Sequence, residues 1–401
     1  MKYAFAKRVR HLQSSAVRDI LKIAGKDDVI SFAGGMPDEE LFPLEAIEDS
    51  FKRVFANGKT SLQYAETEGF RPLREVILER MKQKQISSYS VEEVLITTGS
   101  QQAIDLFSRV MLSPDDIVLT EDPTYLAALQ VFQSYEANVI AVDSDHEGML
   151  PDDLEEKLRY YKPKCVYVVP TFSNPAGRVW SLERRQHLIN LARKYKVIVF
   201  EDDPYGDIQF QKNETYLPIA ALDDGSHVLY TSTFSKTAVP ALRTGWITGP
   251  YQIIRMMSQA KQANDLHSNS LSQQALYQLC RHFDLDGHIS NLATVYRSRM
   301  KVMERCLKEA NLPELHFVEP KGGMFLWVEL DERINTTTLL PEAVNNGVAY
   351  VPGEPFYAGT PKKNTMRLNF THATDVKIEK GITLLTELLA NKKTGNLAVP
   401  N

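Results

Sequence analysis

Cysteine is scarce in this sequence: the three present, Cys165, Cys280 and Cys306, lie far apart and form no CxxC pair. Neither a disulfide framework nor a zinc site is indicated, no metal is expected, and a reducing cytoplasm fits. Long hydrophobic runs are missing as well. No stretch is apolar enough to span a bilayer, and the first residues lack the apolar core of a signal peptide. No membrane partner is therefore expected, and the chain should stay in the compartment where it is made. Matches to the N-glycosylation pattern, at Asn213-Glu214-Thr215 and Asn369-Phe370-Thr371, read as chance. Positive charge is not in excess: the formal net charge is -5, which offers no electrostatic reason to bind nucleic acid or an anionic surface. The GxSxG elbow, the P-loop, HExxH and GxGxxG are all absent. Small molecules are left as the expected partners.

What is present is an ordinary globular composition, 43% hydrophobic and 24% charged, without internal repeats or a low-complexity linker. At 401 residues the chain exceeds the roughly 250 to 300 residues that one hydrophobic core organises, so two closely packed domains are expected. Between about Val94 and Pro250, short apolar runs alternate with amphipathic segments, the pattern of a parallel sheet flanked by helices. Strands are predicted at Val94 to Thr97, Ile117 to Thr120, Val139 to Val142, Cys165 to Val169, Val197 to Glu201, Val228 to Tyr230 and Trp246 to Thr248. Helices such as Leu182 to Tyr195 fall between them. Before Leu44, Gly34-Gly35-Met36-Pro37 and Phe42-Pro43 mark an irregular, extended arm. After Gly287, a helical pattern from Val295 to Ala310 leads to an alternating strand, Met324 to Val328. The fold class is α/β. A large domain is expected over residues 46–290 and a small α+β domain over 291–401, with an N-terminal segment, 1–45, associated with the small one.

Ligands of an α/β sheet bind beyond the carboxyl ends of its strands, and four such ends carry polar groups. They are Gly99-Ser100-Gln101, Asn174-Pro175-Ala176-Gly177, Asp202-Asp203-Pro204-Tyr205 and Thr233-Phe234-Ser235-Lys236, the last followed by Arg243. Singly, each has a plain structural account: glycine-serine caps helices, Asn-Pro makes turns, and a lone lysine is usually solvated surface. In this order, at these strand ends, they are far more specific. The combination resembles the class I/II aminotransferases, fold type I enzymes that use pyridoxal 5'-phosphate (PLP), and within them the branch that includes kynurenine and 2-aminoadipate aminotransferases. The resemblance runs from Ser31-Phe32-Ala33-Gly34-Gly35 through Arg367-Leu368-Asn369-Phe370. Its most diagnostic stretch is Ser232-Thr233-Phe234-Ser235-Lys236-Thr237, followed by Pro240-Ala241-Leu242-Arg243-Thr244-Gly245-Trp246.

The resemblance implies a mostly parallel seven-stranded sheet and a role for each matching position. Lys236 holds the cofactor covalently and, once freed, moves the substrate's α-proton. Asp202 pairs with the pyridine nitrogen and keeps it protonated. It is preferred to Asp203 because it stands three positions before Tyr205, and adjacent strand residues face opposite ways. Asn174 and Tyr205 bond the phenolic oxygen, and Asn174 also borders the substrate. Tyr125, in Asp122-Pro123-Thr124-Tyr125, stacks on the ring; a half-buried tyrosine at a helix start is its plain alternative. Ser100 and Gln101, opening a helix from Gln102 to Val110, offer N–H groups to the phosphate, joined by Thr233, Ser235 and Arg243. Serine is usual where Thr233 stands; the hydroxyl is retained. Tyr64 reaches the phosphate of a neighbouring subunit, which implies a homodimer with shared active sites. Arg367 clamps the substrate's α-carboxylate, and Gly35 lies over the substrate. Arg18 offers a second carboxylate contact, with a solvated helix face as the competing account.

The implied activity is a ping-pong transfer of an amino group between an L-amino acid (aromatic, 2-aminoadipate or similar) and a 2-oxo acid, with 2-oxoglutarate as the expected acceptor. Two readings compete. Another PLP reaction on the same scaffold, such as β-elimination, decarboxylation or ring closure, would use the same cofactor residues, although Arg367 favours transamination. A non-catalytic PLP-binding regulatory module, fused to an N-terminal winged helix-turn-helix, is disfavoured because the family pattern begins by about Ser31 and no basic stripe exists.

Overall fold

The computed structural model describes residues 3–6, 9, 20, 22, 28–211 and 213–395, with side chains described as far as 392. Seven strands form one sheet: β1 (Val94–Thr97), β2 (Ile117–Glu121), β3 (Asn138–Val142), β4 (Cys165–Val168), β5 (Ile198–Asp202), β6 (Val228–Thr233) and β7 (Gly245–Thr248). Their order is β1-β7-β6-β5-β4-β2-β3. All run in one direction except β7, which is antiparallel to both of its neighbours. β1, β4 and β6 are buried along their whole length, as a sheet covered on both faces requires.

The cover comes from α1 (Leu44–Ala56), α2 (Arg71–Gln83), α3 (Ser100–Met111), α4 (Leu126–Ser134), α5 (Pro151–Tyr161), α6 (Leu182–Tyr195), α7 (Tyr251–Asp265) and α8 (Ser270–His282). Successive strand residues point to opposite faces, and the cores divide accordingly. Ile96, Leu119, Val166 and Val199 pack with side chains of α2, α6 and α8, whereas Leu95, Val118, Cys165 and Phe200 pack with α3, α4 and α7. The helix expected at Leu182 to Tyr195 has those limits because its ends are chemically marked. Ser181 accepts a hydrogen bond from the Arg184 N–H at the start, and left-handed Lys196 closes the end.

The helix expected from Val295 begins earlier. α9 (Leu285–Glu309) starts where the Asp284 carboxylate accepts from the Gly287 N–H, so the glycine that marks a break in the sequence lies in its first turn. Leu285 and Ile289 belong to a core of the large sheet, whereas Leu292 and the buried residues after it belong to a second core. That second core is built on an antiparallel sheet of β8 (His316–Phe317), β9 (Phe325–Glu329), β10 (Val351–Pro352) and β11 (Thr365–Asn369), in the order β8-β9-β11-β10. α10 (Thr336–Asn345) and α11 (Asp375–Gly395) pack on it. The segment Ile30–Ser31 pairs in parallel with Val348–Ala349, which buries Phe32 and Ala33 in the same core. Phe172, Tyr205, Met324 and Phe325 form a small cluster at the seam between the two units. Among the described residues no helix is long and apolar enough to cross a membrane.

Candidate active site

The reversed strand creates the site's corner. Because β7 runs backwards, its first residue, Gly245, pairs with Thr97 at the end of β1 and with Thr233 at the end of β6. The segments that leave those two strands, and the residue Arg243 that precedes β7, are thereby crowded together. A Cβ at Gly245 would lie 2.8 Å from the Ser232 carbonyl oxygen and 2.9 Å from the Gly99 backbone. Gly99 has φ 75°, a left-handed value that glycine adopts without strain, and a Cβ there would stand 2.6 Å from Arg243 Nη2. A cavity of about 370 Å³ opens at this corner. Its lining brings together Gly35, Ser100, Gln101, Tyr125, Asn174, Asp202, Tyr205, Thr233, Ser235, Lys236, Arg243 and Arg367. Tyr64 is not among them: it is 78% exposed, with its ring edge-on to His267. Arg18 lies outside the described residues.

At one end the cavity is an anion cradle. α3 begins at Ser100 rather than Gln102, and no side chain caps it, which leaves first-turn N–H groups to face a ligand. Arg243 donates from Nη1 to Ser235 Oγ (3.2 Å) and from Nη2 to the Thr98 carbonyl (3.3 Å). The Thr233 hydroxyl is engaged within its own turn, accepting from the Ser235 N–H (3.1 Å) and donating to the Thr244 carbonyl (3.0 Å). It therefore shapes the cradle by fixing Ser235.

Lys236 occupies the centre. Its Nζ donates to the Gly35 carbonyl at 2.8 Å, and burial, followed by the charges of Arg243 and Arg367, brings its pKa down to about 8. Asp202, at the end of β5, accepts from the Tyr167 hydroxyl at 2.9 Å through Oδ2, while Oδ1 is buried with no partner. Burial pushes this carboxyl up to about 7; the Tyr167 bond opposes that rise and Asp203 adds to it. Asp203 points to the other face of the sheet, toward Tyr230 and Lys84.

The far wall is an arginine clamp. Arg367 donates to Asn174 Oδ1 and to the Ala33 carbonyl, each at 2.7 Å, while its buried Nε has no partner. The guanidinium lies 4.3 Å from the Phe325 ring centroid and 5.3 Å from that of Phe356, contacts that favour a cation over an aromatic face. A guanidinium only donates, so the Asn174 oxygen must face it and the amide Nδ2 is turned elsewhere. Burial raises the hydroxyl pKa of Tyr205 and pushes that of Tyr125 up to about 12, so both remain protonated donors at neutral pH.

Sequence reasoning missed Tyr167, Phe325 and Phe356. The strand period gives the face of Tyr167 only once the pairing of the strands is known. Tyr167 pairs in register with Phe200, two residues before Asp202, so the alternation of side chains places it on the face of Asp202.

Residues 27–385 match the family of aminotransferase class I and II. Aromatic-amino-acid aminotransferase 1 of Thermococcus litoralis is 42% identical over 391 residues, covering 96% of this chain and 94% of that protein. The 2-aminoadipate transaminase of Thermus thermophilus is 34% identical over 391 residues, 96% of each. Among solved structures, the kynurenine aminotransferase of Pyrococcus horikoshii, in complex with PMP, KYN as substrates and KYA as products, is similar with a TM-score of 0.92 at 42% identity and 97% coverage of both chains. Fold and cavity together are those of the fold type I PLP enzymes. The chain belongs to the class I and II aminotransferases, and it is a PLP-dependent transaminase.

Two features of the cavity fit PLP. The buried, unpartnered Oδ1 of Asp202 is suited to a cationic ring N–H. The space beside Gly99, which a Cβ would fill, lies between a helix N-terminus and a guanidinium, as a phosphate requires.

Proposed function

We propose that the roles within the cavity divide by position. When bound, PLP supplies a protonated ring that draws electrons from the substrate's α-carbon. Ser100, Gln101, Ser235 and Arg243 hold its phosphate, and Tyr125 covers the ring face. Asp202 holds the proton on the ring nitrogen. The Tyr205 hydroxyl and Asn174 Nδ2 donate to the phenolic oxygen. Lys236, uncharged above about pH 8, anchors the cofactor and then moves the α-proton. The observation that supports this reading is that Lys236 shares the cavity with Arg243 and Arg367 and feels the charge of both.

Arg367 receives the α-carboxylate and Gly35 lies over the substrate. Truncating a buried charged partner costs about 2 to 5 kcal/mol. Arg367→Ala is accordingly expected to lower kcat/KM for every amino acid by about 30- to 5,000-fold, at about 1.36 kcal/mol per tenfold, while the visible band of bound PLP stays. Steady-state kinetics beside an absorption spectrum check this, and an unchanged kcat/KM refutes the clamp.

The amino donor we propose is an aromatic L-amino acid, with 2-oxoglutarate as acceptor. The related aromatic-amino-acid, kynurenine and 2-aminoadipate enzymes support this, as does a wall that includes Leu126, Val169 and Phe356. A panel of amino donors assayed against 2-oxoglutarate is expected to give the highest kcat/KM with an aromatic donor. A preference for aspartate or alanine would overturn the substrate class. We further propose a cytoplasmic homodimer, with a division of the chain at about residue 290, where α9 passes between cores. The exposed apolar side chains Leu44, Phe55, Leu62, Tyr64 and Leu266 support the subunit contact.

A further inference from the structure

Behind the cavity, on the opposite face of the sheet, Asp203 anchors a second ionic cluster. Its Oδ2 accepts from Lys84 Nζ at 3.1 Å and from the Tyr230 hydroxyl at 2.7 Å, and its Oδ1 accepts from the Gly206 N–H at 2.9 Å. Its backbone is fastened to β6: Asp203 N donates to the Thr231 carbonyl (2.9 Å) and Ser232 Oγ donates to the Asp203 carbonyl (2.7 Å). Lys84, which caps the C-terminal end of α2, also lies 2.9 Å from Asp207. One turn earlier, Arg80 lies 3.8 Å from Asp207 and 2.8 Å from Asp286.

This arrangement bears on the reaction in two ways. The bond from Gly206 to Asp203 closes the turn that carries Tyr205 into the cavity. The turn is tight, since a Cβ at Gly206 would lie 2.4 Å from Asp203 Oδ1. The second effect is on charge. Asp202 and Asp203 are consecutive buried carboxyls, each 2% exposed, and the neighbouring lysine reaches only Asp203.

We propose that Lys84 is a positioning residue for the transamination: from behind the sheet it holds and neutralises Asp203, which fixes the Tyr205 turn and leaves the charge of Asp202 to the cofactor's ring nitrogen. The inference rests on the reading of Asp202 given above. The groups that face Asp203 are Lys84 from the end of α2, Tyr230 of β6 and Asp207 of the following loop, with Arg80 and Asp286 behind Lys84. Arg185 of α6 and Glu201 of β5 also sense its charge. Removing Lys84 leaves this cluster one positive charge short, and every nearby group then keeps its proton to higher pH.

The test is a pH titration of the visible absorption band of the PLP-loaded enzyme. Lys84→Met is expected to raise the midpoint by about one unit, the size of shift that a single nearby charge makes. Lys84→Arg leaves the midpoint in place. Asp203→Asn, which leaves the lysine in excess, lowers it, and the double variant Lys84→Met with Asp203→Asn returns it to the parent value. A packing role alone predicts no such reversal of sign. Asp202→Asn, titrated alongside, separates the outcomes. If it moves the midpoint and Lys84→Met does not, the Lys84 proposal is wrong and the reading of Asp202 stands; if it moves nothing, the reading of Asp202 fails. Should Lys84→Met not fold, an unmoved midpoint in Asp203→Asn overturns the proposal by itself.

Discussion

Lys236→Ala is expected to lose the visible band of covalently held PLP and to lower turnover by about 10⁴-fold, the upper end of what a positioned proton-transfer group contributes. The size of the effect follows from what else lines the cavity. Among the described residues Lys236 is the only lysine there. Arg367, although burial brings it down to about 10, is still charged at neutral pH. Tyr125 and Tyr205 are held above the ordinary phenol range by burial, so neither is a base near pH 7. Asp202, at about 7, is committed to the ring nitrogen on the proposed reading and does not replace the lysine. The lowered pKa has a sign of its own: below about pH 8 the lysine is an ammonium without a lone pair, and above it the amine is free to attack. Cofactor capture by the apoprotein, followed as growth of the visible band, is expected to accelerate through about pH 8 and level off above it. Turnover that survives the alanine substitution would remove Lys236 from the mechanism.

Asp202→Asn keeps the side chain's volume and its bond to Tyr167 but removes the charge that, on the proposed reading, faces the ring. Loss of one preorganised electrostatic partner costs about 10²- to 10³-fold in turnover, and that fall is expected here with PLP still bound. The comparison to make is kcat against the intensity of the cofactor band. A dark protein would mean that Asp202 holds the cofactor rather than tuning it, and near-parental kcat would exclude it from the electron sink. Asp202 stands without a protein cation, whereas Asp203 has Lys84; the two adjacent carboxyls differ in environment, not in residue type.

That contrast marks the limit of what a linear reading carries. The ends of β1 and α6 were legible because their signals are local: an apolar run of four, and a serine cap before an amphipathic stretch. Asp202 was separable from Asp203 because the resemblance sets the aspartate three positions before Tyr205, and strand alternation lets only one of the two face the cavity. The start of α9 was misread because Gly287 looks like a break until Asp284 is seen to cap across it. Tyr167 and Lys84 lay beyond reach for another reason. Their partners are 35 and 119 positions away, and only the order of strands in the sheet brings them together. The same holds for the Phe325 ring against Arg367, where β9 and β11 meet by antiparallel pairing.

The unbroken course of α9 limits how the active site can open. Lys236 belongs to one side of the seam and Arg367 to the other, and α9 crosses between their cores without a loop at residue 290. With no proline inside it, α9 lacks the usual cause of a sharp kink, and bends by gentle curvature spread over several turns. Any change in the distance between the arginine and the lysine that leaves α9 helical must bend that helix, which is the flexing of a leaf spring rather than the swing of a door.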